Sequence, residues 1–196
     1  MSGRRFATTL GLIDVVVGGV GVAHAAASTA SALAGQRYQL VLSAGIAGGF
    51  PPSVAGDIIV ADEVVHADLG AEDGDIFRPL SELGLDSERA TLDPAITTEL
   101  ARRGGGAIGA VLTVSTVTGT ATTTRLRLER HPTARAEAME GAGVLAAAQL
   151  AGVPFGEVRA ISNAVGPRDR STWQIPLALR SLGTAIAAVS SAEWDP

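Results

Sequence analysis

The sequence contains no cysteine, and aromatic residues make up only 4% of its 196 residues. Without cysteine, the chain cannot form disulfide bonds, thiolate metal sites or a thiol nucleophile. The three histidines, His24, His66 and His131, lie far apart and lack metal-ligand spacing. No segment approaches the ~20 apolar residues of a membrane-spanning helix without interruption by Asp or by glycines. We therefore expect no metal site and no membrane partner.

Charge is also scarce, since charged residues make up 18% of the chain and the net charge is −5. This balance provides no basic surface for nucleic acid or acidic lipid, so we expect no nucleic-acid partner. Apolar residues reach 46%, which indicates a globular chain. The length allows a sizeable core but not two comfortable domains. We therefore predict a single domain over residues 1–196.

Two common nucleotide-binding motifs are absent. No Gly-x-x-x-x-Gly-Lys occurs, which excludes a P-loop hydrolase. Gly19-Val20-Gly21 is followed by His24 where a dinucleotide fingerprint needs Gly or Ala. The next apolar run ends without the acidic residue that would bind a ribose hydroxyl. A nicotinamide dehydrogenase is therefore a poor interpretation.

The N-terminal segment allows two interpretations. Its Arg pair, apolar run and Ala-His-Ala sequence imitate a secretory signal peptide. Asp14, however, interrupts the apolar run, and the glycines that follow would break a helix. We favour a strand over Leu12–Val17, a glycine turn and a helix over Ala23–Leu33, and hence a cytoplasmic protein.

Short runs rich in Val and Ile alternate with Ala-rich segments. The runs suit strands buried on both faces, and the Ala-rich segments suit helices. We predict strands at 12–17, 38–45, 56–65, 107–115 and 155–162 and helices at 23–33, 95–102, 139–151 and 176–189. This alternation is typical of a three-layer αβα domain with a central mixed, mostly parallel sheet. We interpret Asp68–Arg89 as a surface excursion.

The loops that follow the predicted strands are candidates for the site, because ligands of such sheets bind beyond the carboxyl ends of strands. The segment SAGIAGGF contains Gly45, Gly48 and Gly49. These glycines indicate either a tight turn with positive φ or a backbone surface that a ligand approaches closely.

Glu140 is a carboxylate at the start of an otherwise apolar predicted helix, with no charged partner evident in the sequence. One interpretation is an acid favoured by the helix dipole. The other is an acceptor of two hydrogen bonds, which is what a ribose diol requires. Ser162 and Asn163 end the next predicted strand and could bring an amide to the same place, although a buried Asn is commonly a turn residue.

Four segments, SAGIAGGF, GDIIVADEVVHAD, AEAMEGAGV and RAISNAVG, resemble in this order the nucleoside phosphorylase and nucleosidase superfamily. Within it, HADLGAEDGD, LTVSTVTGT and SNAVGPRDRSTW resemble the futalosine hydrolase family. The resemblance covers the chain from Asp14 to the C-terminus. It implies hydrolysis of the N-glycosidic bond of futalosine, with release of hypoxanthine, in the alternative menaquinone pathway. It also implies a homo-oligomer that needs no metal or cofactor.

The resemblance assigns roles to individual residues. Glu140 is expected to grip the ribose hydroxyls, and Asn163 to stabilise charge on the purine; we predict both as catalytic residues. The remaining predicted substrate-binding residues are Ile46, Ala47, Gly48, Met139 and Ser162. Arg168 and Arg170 could pair with a carboxylate on the 5′ side of the substrate.

Two alternatives stay open. A 6-oxopurine nucleoside phosphorylase would need phosphate-binding groups, but Ser43 and Ile46 stand at the matching positions, and neither neutralises a dianion. A non-catalytic purine-nucleoside binding protein is the second alternative. It arises because the resemblance implies a further strand and helix ahead of MSGRRF, and this opening segment carries the acid that activates water. Asp14 does not match that acid.

Overall fold

The computed structural model describes residues 4–8 and 11–191. The strands are β1 (Arg4–Thr8), β2 (Gly11–Val15), β3 (Val41–Gly49), β4 (Ile58–His66), β5 (Gly70–Asp73), β6 (Ile76–Pro79), β7 (Arg89–Thr91), β8 (Ala107–Thr113), β9 (Ala134–Ala138) and β10 (Phe155–Ala164). The α-helices are α1 (Val22–Leu33), α2 (Pro94–Gly104), α3 (Ala121–Arg130), α4 (Gly141–Ala151) and α5 (Ile175–Val189).

The central sheet has six strands in the order β10-β3-β9-β8-β4-β7, and β10 also pairs with β4. This extra pairing closes five of the strands into a ring. The pairs β10–β3, β4–β8 and β8–β9 are parallel, whereas the shorter pairs β10–β4, β3–β9 and β4–β7 are antiparallel. The prediction of a mixed, mostly parallel sheet is therefore confirmed.

Helices cover both faces of this sheet, and β4 shows why. Ile59 and Ala61 pack in one apolar cluster with residues of α1 and α4. Ile58 and Val60 point the other way and pack with residues of α2 and α5. Because side chains alternate along a strand, a strand covered on both sides must be apolar throughout. The predicted three-layer αβα arrangement is confirmed.

The prediction that Leu12–Val17 forms a strand of the main sheet is wrong. The strand is β2, and it forms a separate antiparallel hairpin with β1. The sequence did not predict β1 as the partner of β2, because most residues of β1 are polar. Of the described strands, only β10 pairs with the first seven residues of β3, and β9 joins only at Gly48 and Gly49.

Several elements escaped prediction because they are polar. Helix α3 buries none of its residues, so its sequence has no apolar stripe. Strand β9 carries two charges in five residues. The predicted excursion Asp68–Arg89 contains the hairpin of β5 and β6. Helix α4 begins at Gly141, two residues later than predicted.

Within the described residues, no helix is long and apolar enough to cross a membrane. The same part of the chain holds no group of three or more His, Cys, Asp or Glu that could bind a metal ion.

Candidate nucleoside site

Glu140 lies between β9 and α4, at the N-cap position, and its side chain does not cap the helix. Its Oε2 lies 3.2 Å from Nη1 of Arg159, and its Oε1 accepts the backbone N–H of Gly21 at 3.4 Å. The expectation that Glu140 has no charged partner is therefore wrong. The Gly21 contact brings the glycine loop after β2 to the start of α4.

Arg159 is the centre of a buried polar cluster on β10. Its side chain is only 3% exposed. Nε donates to Oε1 of Glu157 at 2.7 Å, and Nη2 donates to Oγ of Ser43 at 3.0 Å. One guanidinium thus serves two carboxyl groups and a hydroxyl. We call Ser43, Glu140, Glu157 and Arg159 the Arg159 cluster.

The electrostatics of the Arg159 cluster differ between its two acids. Burial raises the pKa of Glu157, the nearby Arg159 opposes that rise, and the charge of Glu140 adds to it; the net direction is upward. Glu140, the other acid, is partly exposed and shares the guanidinium through its Oε2.

Glu157 and Arg159 are not among the site residues predicted from the sequence, although their spacing in β10 indicates a buried pair. The two residues alternate with Val158 and Ala160, which pack toward α2 and α5. Opposite charges two positions apart in a buried strand lie on the same face. Because a buried charge needs a partner, that spacing predicts an internal pair.

The three glycines of SAGIAGGF lie within β3, and none has a positive φ. The turn interpretation is therefore wrong. The close approach comes from the protein itself: a Cβ on Gly45 would lie 2.6 Å from Nη1 of Arg159, and one on Gly48 would lie 2.9 Å from Val165. Gly45 thus makes room for the buried guanidinium.

Asn163 lies near the end of β10, opposite Gly48 and just past an irregularity in the register. Its Nδ2 donates to the Ala164 carbonyl at 2.9 Å. The Ser162 hydroxyl can donate to Oδ1 of Asn163 at 2.8 Å or to the Ala47 carbonyl at 3.1 Å. These contacts fix the orientation of the amide, with the oxygen toward Ser162.

A cavity of about 90 Å³ opens beside Asn163. Across it, the buried Glu137 accepts the backbone N–H of Thr118 at 2.8 Å and its hydroxyl at 2.6 Å. The contact between Thr118 and Glu137 holds the loop after β8 against β9. It was not predicted from the sequence. The residues that line this cavity include Gly48, Thr118, Glu137, Asn163, Arg168 and Trp173. We call it the Asn163 cavity.

The two arginines of GPRDRS both lie near Trp173. The guanidinium carbons of Arg168 and Arg170 are 5.6 and 5.7 Å from its ring centroid. Arg168 lines the Asn163 cavity, whereas Arg170 begins a short 3-10 helix beyond it. Arg168 is therefore better placed than Arg170 to meet a ligand.

The structure brings Ala47, Gly48, Ser162 and Asn163 together where β3 and β10 end. Met139 directly precedes Glu140, and its backbone N–H lies 3.3 Å from the Glu140 carboxylate. The side chain of Ile46 packs with the apolar cluster of α2 and α5.

Chemically, the Arg159 cluster and the side chain of Asn163 offer different groups to a ligand. A carboxylate backed by a buried guanidinium can accept hydrogen bonds and stabilise positive charge. A fixed amide can donate to an acceptor on a flat ring. A nucleoside offers hydroxyls to the first and a base to the second.

The chain is similar to known proteins along most of its length. The family model of the phosphorylase superfamily matches residues 2–192. A futalosine hydrolase of Streptomyces coelicolor is 48% identical over 191 residues, covering 93% of this chain and 81% of the relative. A futalosine hydrolase of Acidothermus cellulolyticus is 51% identical over 184 residues, covering 91% and 75%. A 5′-methylthioadenosine/S-adenosylhomocysteine nucleosidase of Shewanella oneidensis is 32% identical over 169 residues, covering 80% and 70%.

Solved structures share the fold. A methylthioadenosine/S-adenosylhomocysteine nucleosidase of Neisseria meningitidis, in complex with methylthio-immucillin-A, superposes with a TM-score of 0.81 at 16% identity over 96% of this chain and 85% of that one. The futalosine hydrolase of Helicobacter pylori superposes with a TM-score of 0.79 at 18% identity over 95% and 82%. The resemblance predicted from the sequence motifs is confirmed, and the chain belongs to the phosphorylase superfamily.

Proposed function

We propose that the chain hydrolyses the N-glycosidic bond of futalosine and releases hypoxanthine, a step of the alternative menaquinone pathway. The observation that carries the proposal is the 48% identity with the Streptomyces coelicolor futalosine hydrolase over 191 residues. The Arg159 cluster and the Asn163 cavity support it, because together they offer one group for a sugar and one for a base. From the resemblance, we also propose a homo-oligomer in the cytoplasm that uses no cofactor.

Glu140 is the proposed ligand of the ribose hydroxyls. Its Oε1 has one protein donor, the Gly21 N–H at 3.4 Å, whereas its Oε2 has two, Arg159 at 3.2 Å and the Met139 N–H at 3.3 Å. A carboxylate has about four acceptor sites, so Oε1 keeps capacity for a hydroxyl. Met139 lies next to it, under the sugar in this proposal.

The transition state of glycosidic cleavage resembles an oxocarbenium ion, with positive charge on the sugar and negative charge moving to the purine. The carboxylate of Glu140 stabilises the first charge. The amide of Asn163 stabilises the second by donating to the departing base. Both interactions strengthen as the bond breaks, which is the requirement for catalysis rather than binding.

The amide of Asn163 also supports the choice of base. Its oxygen faces Ser162, and one Nδ2 hydrogen is used by the Ala164 carbonyl. The second Nδ2 hydrogen remains to be donated. A 6-oxopurine presents acceptors at both N7 and O6, whereas a 6-aminopurine presents a donor at position 6. Donated to O6, this hydrogen favours hypoxanthine over adenine, because adenine presents a donor at that position.

Phosphorolysis is the rival reaction, and the state of Arg159 argues against it. A phosphorylase needs a cation available to a phosphate dianion. The guanidinium of Arg159 already bonds Glu157, Glu140 and Ser43. Ile46 adds only an apolar side chain, packed toward α2 and α5. Water is accordingly the proposed attacking group.

The test is to incubate the protein with futalosine or inosine, with and without phosphate, and to quantify free hypoxanthine. The proposal predicts release from futalosine that does not depend on phosphate. Release only with phosphate would instead identify a phosphorylase. Binding without release under either condition would identify a nucleoside-binding protein.

A further inference from the structure

Glu157 is the most deeply buried acid of the site. Its side chain is 0% exposed. Its Oε1 accepts Nε–H of Arg159 at 2.7 Å, whereas Oε2 has no hydrogen-bond partner among the described residues. A fully buried carboxyl group with an unused oxygen is costly to fold, so it calls for a functional explanation.

The start of α4 is shaped around this carboxyl group. A Cβ on Gly141 would lie 2.2 Å from Oε2 and 2.5 Å from Oε1 of Glu157. Only glycine leaves room at that position. Gly141 directly follows Glu140, so the backbone that carries the proposed sugar ligand is packed against Glu157.

The guanidinium of Arg159 is held in three directions, by Glu157 at Nε, Glu140 at Nη1 and Ser43 at Nη2. Arginine prefers to bind a carboxylate with two parallel hydrogen bonds. Without an acceptor at Nε, the guanidinium could rotate and take both oxygens of Glu140. That arrangement would compete with the sugar hydroxyls for the same oxygens.

We propose that Glu157 is a positioning residue: it fixes the guanidinium of Arg159, which in turn holds Glu140 in place for the sugar. This inference rests on the proposed nucleosidase function and goes beyond it by adding a residue that does not touch the substrate. Burial raises the pKa of Glu157, and the adjacent Arg159 opposes that rise. Oε1 of Glu157 accepts from Nε, while Nη1 stays available to Glu140.

The test compares two substitutions of Glu157 with a matched control. Glu157→Gln keeps the shape and the carbonyl acceptor, whereas Glu157→Leu removes the acceptor. Glu88→Leu is the control, because Glu88 is also a buried carboxyl (7% exposed) and lies outside both regions of the site. The readouts are kcat and KM for futalosine, the melting temperature, and the NMR resonance of the Arg159 Nε–H group.

We expect Glu157→Leu to lower kcat/KM by roughly 100-fold and to abolish or shift the Nε–H resonance, which reports the bond to Glu157. Glu157→Gln should restore kcat/KM to within about tenfold of wild type and keep the resonance. Glu88→Leu should lower the melting temperature without changing kcat/KM. Equal losses in the Gln and Leu variants, or a Leu variant with wild-type kcat/KM, would overturn the inference.

Failure of the proposed function gives a different result. If the wild type releases no hypoxanthine, futalosine hydrolysis is wrong, and the role of Glu157 is then judged from the Arg159 resonance and from inosine affinity by calorimetry. Loss of both in Glu157→Leu and retention of both in Glu157→Gln would support the positioning role for another nucleoside reaction. An unchanged resonance in Glu157→Leu would contradict it. Gly141→Ala provides a second variant, whose added methyl group should disturb the same resonance.

Discussion

The Arg159 cluster and the Asn163 cavity hold their polar side chains in different ways. In the cluster, a cation is surrounded by two acids and a hydroxyl, and its side chain is only 3% exposed. In the cavity, the amide of Asn163 is held by neutral hydrogen bonds to Ser162 and Ala164. A charged environment suits a sugar that becomes cationic, whereas a neutral donor suits the choice between two bases. We therefore assign the rate of hydrolysis mainly to the Arg159 cluster and base selectivity to the Asn163 cavity.

The largest expected effect comes from removing the cation of the cluster. Arg159→Met leaves Glu140 and Glu157 without their shared partner, and breaking a buried ion pair in this way costs about 3–5 kcal/mol in the free energy of unfolding. Urea unfolding measures this loss. Arg125→Met is the control, since Arg125 pairs with Glu129 on the exposed face of α3 and should change stability by less than about 0.5 kcal/mol. Similar stabilities in both variants would show that the cluster is not a structural unit.

Glu140→Gln should have the largest effect on chemistry alone. The substitution keeps the size of the side chain but removes its charge and one acceptor. The loss of transition-state stabilisation, obtained from kcat/KM for futalosine, should be about 2–4 kcal/mol. Glu129→Gln, on the exposed part of α3, is the control for loss of one carboxylate. A kcat/KM within about threefold of wild type would leave Glu140 as an acid favoured only by the helix dipole.

Asn163→Asp tests the role of the Asn163 cavity. The substitution puts a carboxylate where a donor is proposed to meet O6, so turnover of futalosine should fall by ~10²-fold. Some turnover of a 6-amino substrate should appear. Gln149→Glu adds a negative charge on the exposed side of α4 and should leave both activities unchanged. If Asn163→Asp behaves like this control, Asn163 does not contact the base.

Arg168→Ala should have a smaller and more selective effect. If Arg168 pairs with the carboxylate on the 5′ side of futalosine, its loss should lower kcat/KM for futalosine by roughly tenfold while inosine binding is spared. Arg170→Ala should cost less, because Arg170 contacts Trp173 but does not line the cavity. Equal losses for futalosine and inosine would remove Arg168 from the 5′ side.

The smallest expected effect is a pH dependence of stability. Because the pKa of Glu157 is raised in the folded protein by burial, the folded state holds a proton that the unfolded state releases. Stability contributed by this group is present below the unfolded pKa of ~4.3 and is lost as pH rises through the folded pKa. The groups that face Glu157 are Arg159 and Glu140, and both remain in Glu157→Gln. Wild type should therefore lose more stability than Glu157→Gln as pH rises above the unfolded pKa of ~4.3. Parallel pH curves would show that Glu157 is ionised throughout.

The contrast between the Arg159 cluster and the Asn163 cavity also explains which site residues could be predicted from the sequence. Glu140 and Asn163 stand next to glycine-rich or turn sequences at element ends, where local patterns and family motifs identify them. Arg159 and Glu157 lie inside β10, and their partners come from β3 and from the start of α4, far away in the chain. The pairing of β10 with β4 that closes the ring has no local signal either. Polar elements such as α3 and β9 lack the apolar periodicity on which prediction depends.

The central claim is that the Arg159 cluster serves the sugar and the Asn163 cavity serves the base. The most direct test is the ratio of kcat/KM for futalosine to kcat/KM for aminofutalosine in wild type, Glu140→Gln and Asn163→Asp. We predict that wild type prefers futalosine. Glu140→Gln should lower both kcat/KM values and leave their ratio unchanged, whereas Asn163→Asp should shift the ratio toward aminofutalosine. A wild type that prefers aminofutalosine, or a ratio that changes with Glu140 and not with Asn163, would contradict it.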